Sequence, residues 1–209
     1  MRPRAALGRQ RGADRPASRH PLLPAGLLVL FATATPINPP HAQPGPPPEF
    51  EHEVKASFVY TVAKFVEWPD RAFERPGAPL VFEVLGEDPL EEALERAARG
   101  KTVNGHPVEV LRVADSRELS RCHVLYVGRS EAGHLQGVLD RIRGGTVLTV
   151  GELERFAEDG GVMGLRLEQN MIRFEVNVDA AERAHLSISS KILKLGTVIR
   201  ERKRAMGAP

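Results

Sequence analysis

The sequence predicts an α/β domain: a mostly parallel central sheet, helices on both faces, and an antiparallel hairpin at one edge. Short strand-like runs alternate with helix-like segments, the pattern of strand–helix–strand units. The run Cys122-His-Val-Leu-Tyr-Val-Gly128 reads as a buried strand, as expected of a sheet covered on both faces. Met171 to Val178 alternates in polarity instead, which predicts the edge hairpin.

The elements follow in order. From Glu49 the pattern is helical, with Val54, Phe58, Val62 and Phe65 making one apolar stripe widened by Val66. Glu49, Glu51 and Glu53 suit the positive end of that helix, and Trp68-Pro69 is expected to end it. Leu80 to Leu85 is a strand stopped by Gly86, and Asp88-Pro89 caps a helix to about Arg99. Lys101 to Val103 and Pro107 to Val113 flank Asn104-Gly105, a strong hairpin signal. A helical turn near Ser116 precedes the Cys122 strand, and Ser130 caps a helix that stops at Gly144-Gly145. Thr146 to Val150 reads as a strand and Glu152 to Glu158 as a short helix. Val162 to Leu167 and Met171 to Val178 are strands joined at Gln169-Asn170. Asp179 is expected to cap Ala180 to Ala184, and Ser189-Ser190 a last helix from Lys191 to about Ile199, ahead of a basic end.

A chain of 209 residues holds one domain of ordinary size, and 42% hydrophobic with 27% charged residues is globular composition. Aromatics at 5% supply no stacking platform for single-stranded nucleic acid, and one cysteine excludes an internal disulfide framework. The net charge of +2 is unevenly placed, because residues 1–42 hold Arg2, Arg4, Arg9, Arg11, Arg15 and Arg19 against Asp14 alone. The remaining 23 basic and 26 acidic residues leave a body near −3, so no nucleic-acid partner is expected.

Residues 1–42 read as a secretory signal, with an arginine-rich start, an apolar run from Leu22 to Thr35 and a plausible cleavage after Ala42. That run falls short of the ~20 residues a membrane-crossing helix needs. An uncleaved anchor, or a basic tail before a later start, is the competing reading. No cysteine follows the run, so no lipid anchor is expected. Residues 43–48 are a proline-rich linker, 49–200 the folded domain and 201–209 a basic tail. The expected location is outside the cytoplasm.

No catalytic constellation stands out. Gly128-Arg-Ser-Glu-Ala-Gly133-His134 lacks the lysine of a phosphate-binding loop, and neither a dinucleotide fingerprint nor a nucleophile elbow is present. The Gly128-Arg129-Ser130 turn offers amides to an anion, or is a plain helix cap. His52, His106, His123, His134 and His185 lie on separate elements without ligand-pair spacing, so no metal and no cofactor are expected. Glu49, Glu51, His52 and Glu53 read as a solvated helix start. Cys122 reads as a core thiol or as half of a disulfide between two copies. Gly160-Gly161-Val162-Met163 is either a loop needing positive φ or a close approach kept open for a partner.

The stretch from Glu53-Val-Lys-Ala-Ser-Phe-Val-Tyr60 through Ala63-Lys-Phe-Val-Glu-Trp-Pro69 resembles the opening motif of the YfiR family of exported bacterial proteins. The resemblance continues through Gly100 to Gly105, Cys122 to Gly128, Thr149-Val-Gly151, Gly160 to Met163, Phe174-Glu-Val-Asn177 and Ile188 to Leu193. It implies a dimeric α/β periplasmic regulator that is not an enzyme. In that family repression works by binding the periplasmic sensor domain of a membrane diguanylate cyclase, which lowers cyclic di-GMP and biofilm formation. Two departures stand out: the family's cysteine pairs reduce here to Cys122, and Gly164-Leu165 replaces an Asn-Phe of many relatives.

The expected function is therefore repression of an inner-membrane diguanylate cyclase or sensor kinase, by a homodimer without a membrane anchor. The expected contact surface is the 161–177 hairpin with the final helix, because an edge hairpin leaves strand groups free to pair. Met163, Leu165 and Glu175 are its candidate residues. A small-molecule binding module at the strand ends near Gly86, Gly128 and Gly151 is the alternative, and an exported hydrolase a third reading.

Overall fold

The computed structural model describes residues 48–169 and 171–200. The expected leader (1–42), the linker apart from Pro48, and the tail (201–209) lie outside the described residues. Helix α1 (Pro48–Ala63) is followed by strands β1 (Val66–Glu67) and β2 (Leu80–Leu85), helix α2 (Leu90–Ala98), and strands β3 (Thr102–Val103) and β4 (His106–Val113). Then come β5 (Val124–Val127), α3 (Leu135–Arg141), β6 (Leu148–Gly151), β7 (Met163–Glu168) and β8 (Met171–Asn177). The last elements are α4 (Val178–Arg183), β9 (Ser187–Ile188), α5 (Ser190–Leu193) and β10 (Thr197–Ile199).

Eight strands form one sheet in the order β10-β8-β7-β6-β5-β2-β4-β3, while β1 and β9 pair separately. Only β3–β4 and β7–β8 are antiparallel within it, so the mostly parallel sheet is as read from the sequence. From β2 the chain crosses through α2 to β4 on one side; from β5 it crosses through α3 to β6 on the other. The β2–β5 pair is thus where the topology switches direction.

Side-chain alternation along these strands builds two cores. Leu80, Phe82, Val84, Val124, Tyr126, Leu148 and Val150 pack with α1, α2 and α4, whereas Leu85, Leu125, Val127 and Phe156 pack with α3. Helix α1 buries more than the predicted stripe: Ala56, Val59 and Ala63 are fully covered, and Phe58 leans on Phe174 at 5.1 Å between ring centres.

Several elements depart from the sequence reading. Helix α1 stops at Ala63, earlier than Trp68, because Val66-Glu67 pairs with Ser187-Ile188. Residues 152–158 form turns instead of a helix, with Arg155 at φ +58°. Asn177, not Asp179, caps α4, its Oδ1 accepting from the Ala180 amide at 2.9 Å. The final helix is only one turn; after it Gly196 passes so close to Phe174 that a Cβ there would lie 2.3 Å from the ring, and the chain becomes β10. Strand β10 covers β8, so the β7–β8 hairpin is not the free edge the contact argument needed.

Candidate functional site

At the carboxyl ends of β5 and β6 a buried ionic network forms. Glu152, the residue after β6, has a side chain only 2% exposed. Its Oε2 accepts from Lys55 Nζ at 2.7 Å and from Arg129 Nη2 at 2.9 Å, while Tyr126 Oη donates to its Oε1 at 3.0 Å. Lys55, itself 4% exposed, also pairs with Glu51 one turn earlier on α1. The Lys55 hydrogen bond holds the Glu51 carboxyl below the usual carboxylate range. Burial, then the Glu152 charge, pushes the Tyr126 phenol well above its ordinary value. These groups neutralise one another and tie α1 to the strand ends.

The glycines near these ends serve internal packing. A Cβ on Gly86 would meet Ser130 Oγ at 2.2 Å, and one on Gly128 would meet the Leu85 carbonyl at 2.8 Å. Cβ atoms on Gly151 and Gly161 would lie 2.6 and 2.2 Å from the two sides of the buried Phe156 ring. Thr149 Oγ1 accepts from the Val162 amide at 2.7 Å, and Asn177 Nδ2 donates to the Ala157 carbonyl at 2.7 Å. The motifs around Thr149, Gly160 and Asn177 thus converge on one structural knot. Around the strand ends where a small molecule is the alternative expectation, the nearest neighbours are the chain's own: Ser130 at Gly86, the Leu85 carbonyl at Gly128 and Phe156 at Gly151.

The remaining motifs meet at the opposite, amino end of the sheet, around a cleft of about 390 Å³. Trp68, Phe73, Asn104, His106 and Ser189 are among the residues lining it. Trp68 Nε1 donates to the His123 carbonyl at 3.3 Å, and Asn104 Nδ2 to the Val66 carbonyl at 2.9 Å. Asn104 and Gly105 both have positive φ, as the tight turn requires. The Phe73 ring lies between two imidazoles, stacked on His106 at 3.7 Å and on His123 at 4.5 Å.

The structure separates the predicted contact residues. Met163 and Leu165 are 0% and 2% exposed in the core beneath α1 and α4, where apolar side chains on the inner face of β7 belong. As surface contacts they are corrected: no partner reaches them while the fold is closed. Glu175 is half-buried on the opposite face, paired with Arg166 across the hairpin. Cys122 is a free, buried cysteine, and burial followed by the Glu83 charge raises its thiol far above the ordinary range. Sequence reasoning missed the Glu152 network; the Glu51–Lys55 spacing of four on α1 was its one local trace.

Among the described residues no helix is long and apolar enough to cross a membrane, and no cluster of three or more His, Cys, Asp or Glu is arranged to hold a metal. No curated protein matches the chain. Among solved structures it is similar to a conserved domain protein from Vibrio cholerae O1 biovar El Tor str. N16961. That match has 13% identity and a TM-score of 0.49, covering 72% of this chain and 60% of the other. An ABC domain in complex with L-Trp from Streptococcus pneumoniae is similar at 13% identity and a TM-score of 0.48, covering 71% of this chain and 60% of that one. The YfiR/HmsC-like family model matches residues 52–197, from the second turn of α1 to the first residue of β10, and the chain belongs to that family.

Proposed function

We propose that this protein is a periplasmic regulator that binds the sensor domain of a membrane diguanylate cyclase and lowers cyclic di-GMP output. The observation that carries the reading is family membership over nearly the whole described domain. The ionisable groups support it. Lys55, Glu152 and Arg129 are spent on one another, and Tyr126 and Cys122 are held protonated by burial, an economy suited to a rigid binding body.

The contact surface we propose is the outward side of the β7–β8 hairpin, with Arg166, Glu175 and exposed Met171, together with exposed Leu195 just before β10. Leu195 at 76% exposure is the most exposed large apolar side chain described. In this reading Cys122 is a core thiol and the protein acts as a homodimer. The test is co-purification of the full chain with the periplasmic domain of a cyclase encoded beside it, together with cyclic di-GMP levels after deletion. A complex that is lost in Leu195→Asp, and raised cyclic di-GMP on deletion, is the expected result. No complex at micromolar concentrations with unchanged cyclic di-GMP would overturn the proposal.

A further inference from the structure

Between β1 and β2 the chain makes a ten-residue excursion, residues 69–78, whose hold on the body is narrow. Its internal bonds are local turns: Ala72 N to Pro69 O, Phe73 N to Asp70 O and Ala78 N to Arg75 O. Asp70, Arg71, Glu74, Arg75, Pro76 and Gly77 are all exposed. Besides a long Arg121–Glu74 ion pair, two imidazoles hold it at three points. The Phe73 ring sits between the two imidazoles, His106 Nδ1 bonds the Ala78 carbonyl at 2.6 Å, and His123 Nε2 bonds the Ala72 carbonyl at 3.1 Å.

The tautomer of His123 follows from its partners. A carbonyl only accepts, so Nε2 carries the proton toward Ala72; Nδ1 accepts the Val81 amide at 3.1 Å and is therefore bare. A second proton has to enter at Nδ1, where an N–H already points. It turns an acceptor into a donor facing a donor and places a cation in a site 6% exposed.

We propose that residues 69–78 are a strap across the cleft lined by Trp68 and Phe73, clasped by neutral His123 and released when protonation at Nδ1 drives that imidazole out of its buried site. Burial of the ring outweighs the Ala72 carbonyl, which favours the cation, and His106 of β4 disfavours it; the strap's own Asp70, Arg71, Glu74 and Arg75 are exposed, and Arg121 pairs loosely with Glu74. Lys64 and Glu67 line the far rim of the cleft, while Glu83 of β2 turns away to bond Ser120 and lies against Cys122. Burial accordingly lowers the His123 pKa. The sign follows: the fold prefers the neutral ring, so the clasp holds above the ordinary imidazole range and is lost as pH falls through the depressed folded value. This inference concerns the fold alone and stands or falls independently of the cyclase reading.

Trp68 is the chain's one tryptophan and bonds the His123 carbonyl, so it reports on the clasp from within. The experiment follows Trp68 emission, Val81 amide protection and the His123 imidazole resonance from pH 8 to 4, with far-UV circular dichroism as the check on global folding. Below the His123 midpoint, Val81 protection is expected to fall tenfold per pH unit while Trp68 emission shifts and helix content holds. In His123→Gln the pH dependence is expected to vanish. Should that variant fail to fold, His106→Gln serves instead and is expected to keep the transition on the His123 midpoint. Protection that stays flat while His123 titrates, a transition that persists in His123→Gln, or one that coincides with global unfolding would each overturn the proposal.

Discussion

Replacing Lys55 by methionine removes one corner of the Glu152 network while keeping the length and apolar stem of the side chain. Glu152 then remains buried with Tyr126 and with Arg129, whose side chain is 71% exposed and whose contribution water weakens. Breaking a buried pair by deleting one partner costs about 3–5 kcal/mol, because the surviving charge stays desolvated. Some of that is returned by Arg129, so we expect about 3 kcal/mol. With a urea slope of about 2 kcal/mol/M, the unfolding midpoint should drop by roughly 1.5 M at an unchanged slope. The double variant Lys55→Met, Glu152→Gln removes both charges and should regain about half of the loss. A loss below about 1 kcal/mol in Lys55→Met, or a double variant no better than the single one, would refute the view that this network pins α1 to the sheet.

Two further outcomes follow from the packing. Gly151→Ala forces a methyl into the Phe156 ring and should cost about 1–3 kcal/mol, with part regained on adding Phe156→Leu; equal melting temperatures for the single and double variants would count against the clamp. Cys122 should react with a thiol-directed dye at pH 8 at least tenfold more slowly in the native protein than in urea, and non-reducing electrophoresis should show no linked dimer.

The parts of the fold written locally were legible. Asn104-Gly105 specifies its turn because few residues tolerate two consecutive positive φ values, and the Leu80–Leu85 strand follows from its composition. The end of the chain was not: Lys191 to Ile199 looks helical after its serine cap. The decisive fact is instead that Gly196 must pass the Phe174 ring, whose position is set by α1. Met163 and Leu165 looked available because the hairpin seemed to end the sheet; β10, hidden in that supposed helix, closes the edge. The site behaved likewise. Lys55 and Glu152 are 97 residues apart, so no spacing rule joins them, and only the sheet order brings β5 and β6 beneath α1.

Lys55 and Glu152 are also far apart in the order of synthesis. Of the described domain, α1 is made first, yet its lysine has only the neighbouring Glu51 as counter-charge until Glu152 has followed. An early helix in that state gains little from docking, so the leading part of the domain stays uncommitted until most of it has been made. The lock closes late.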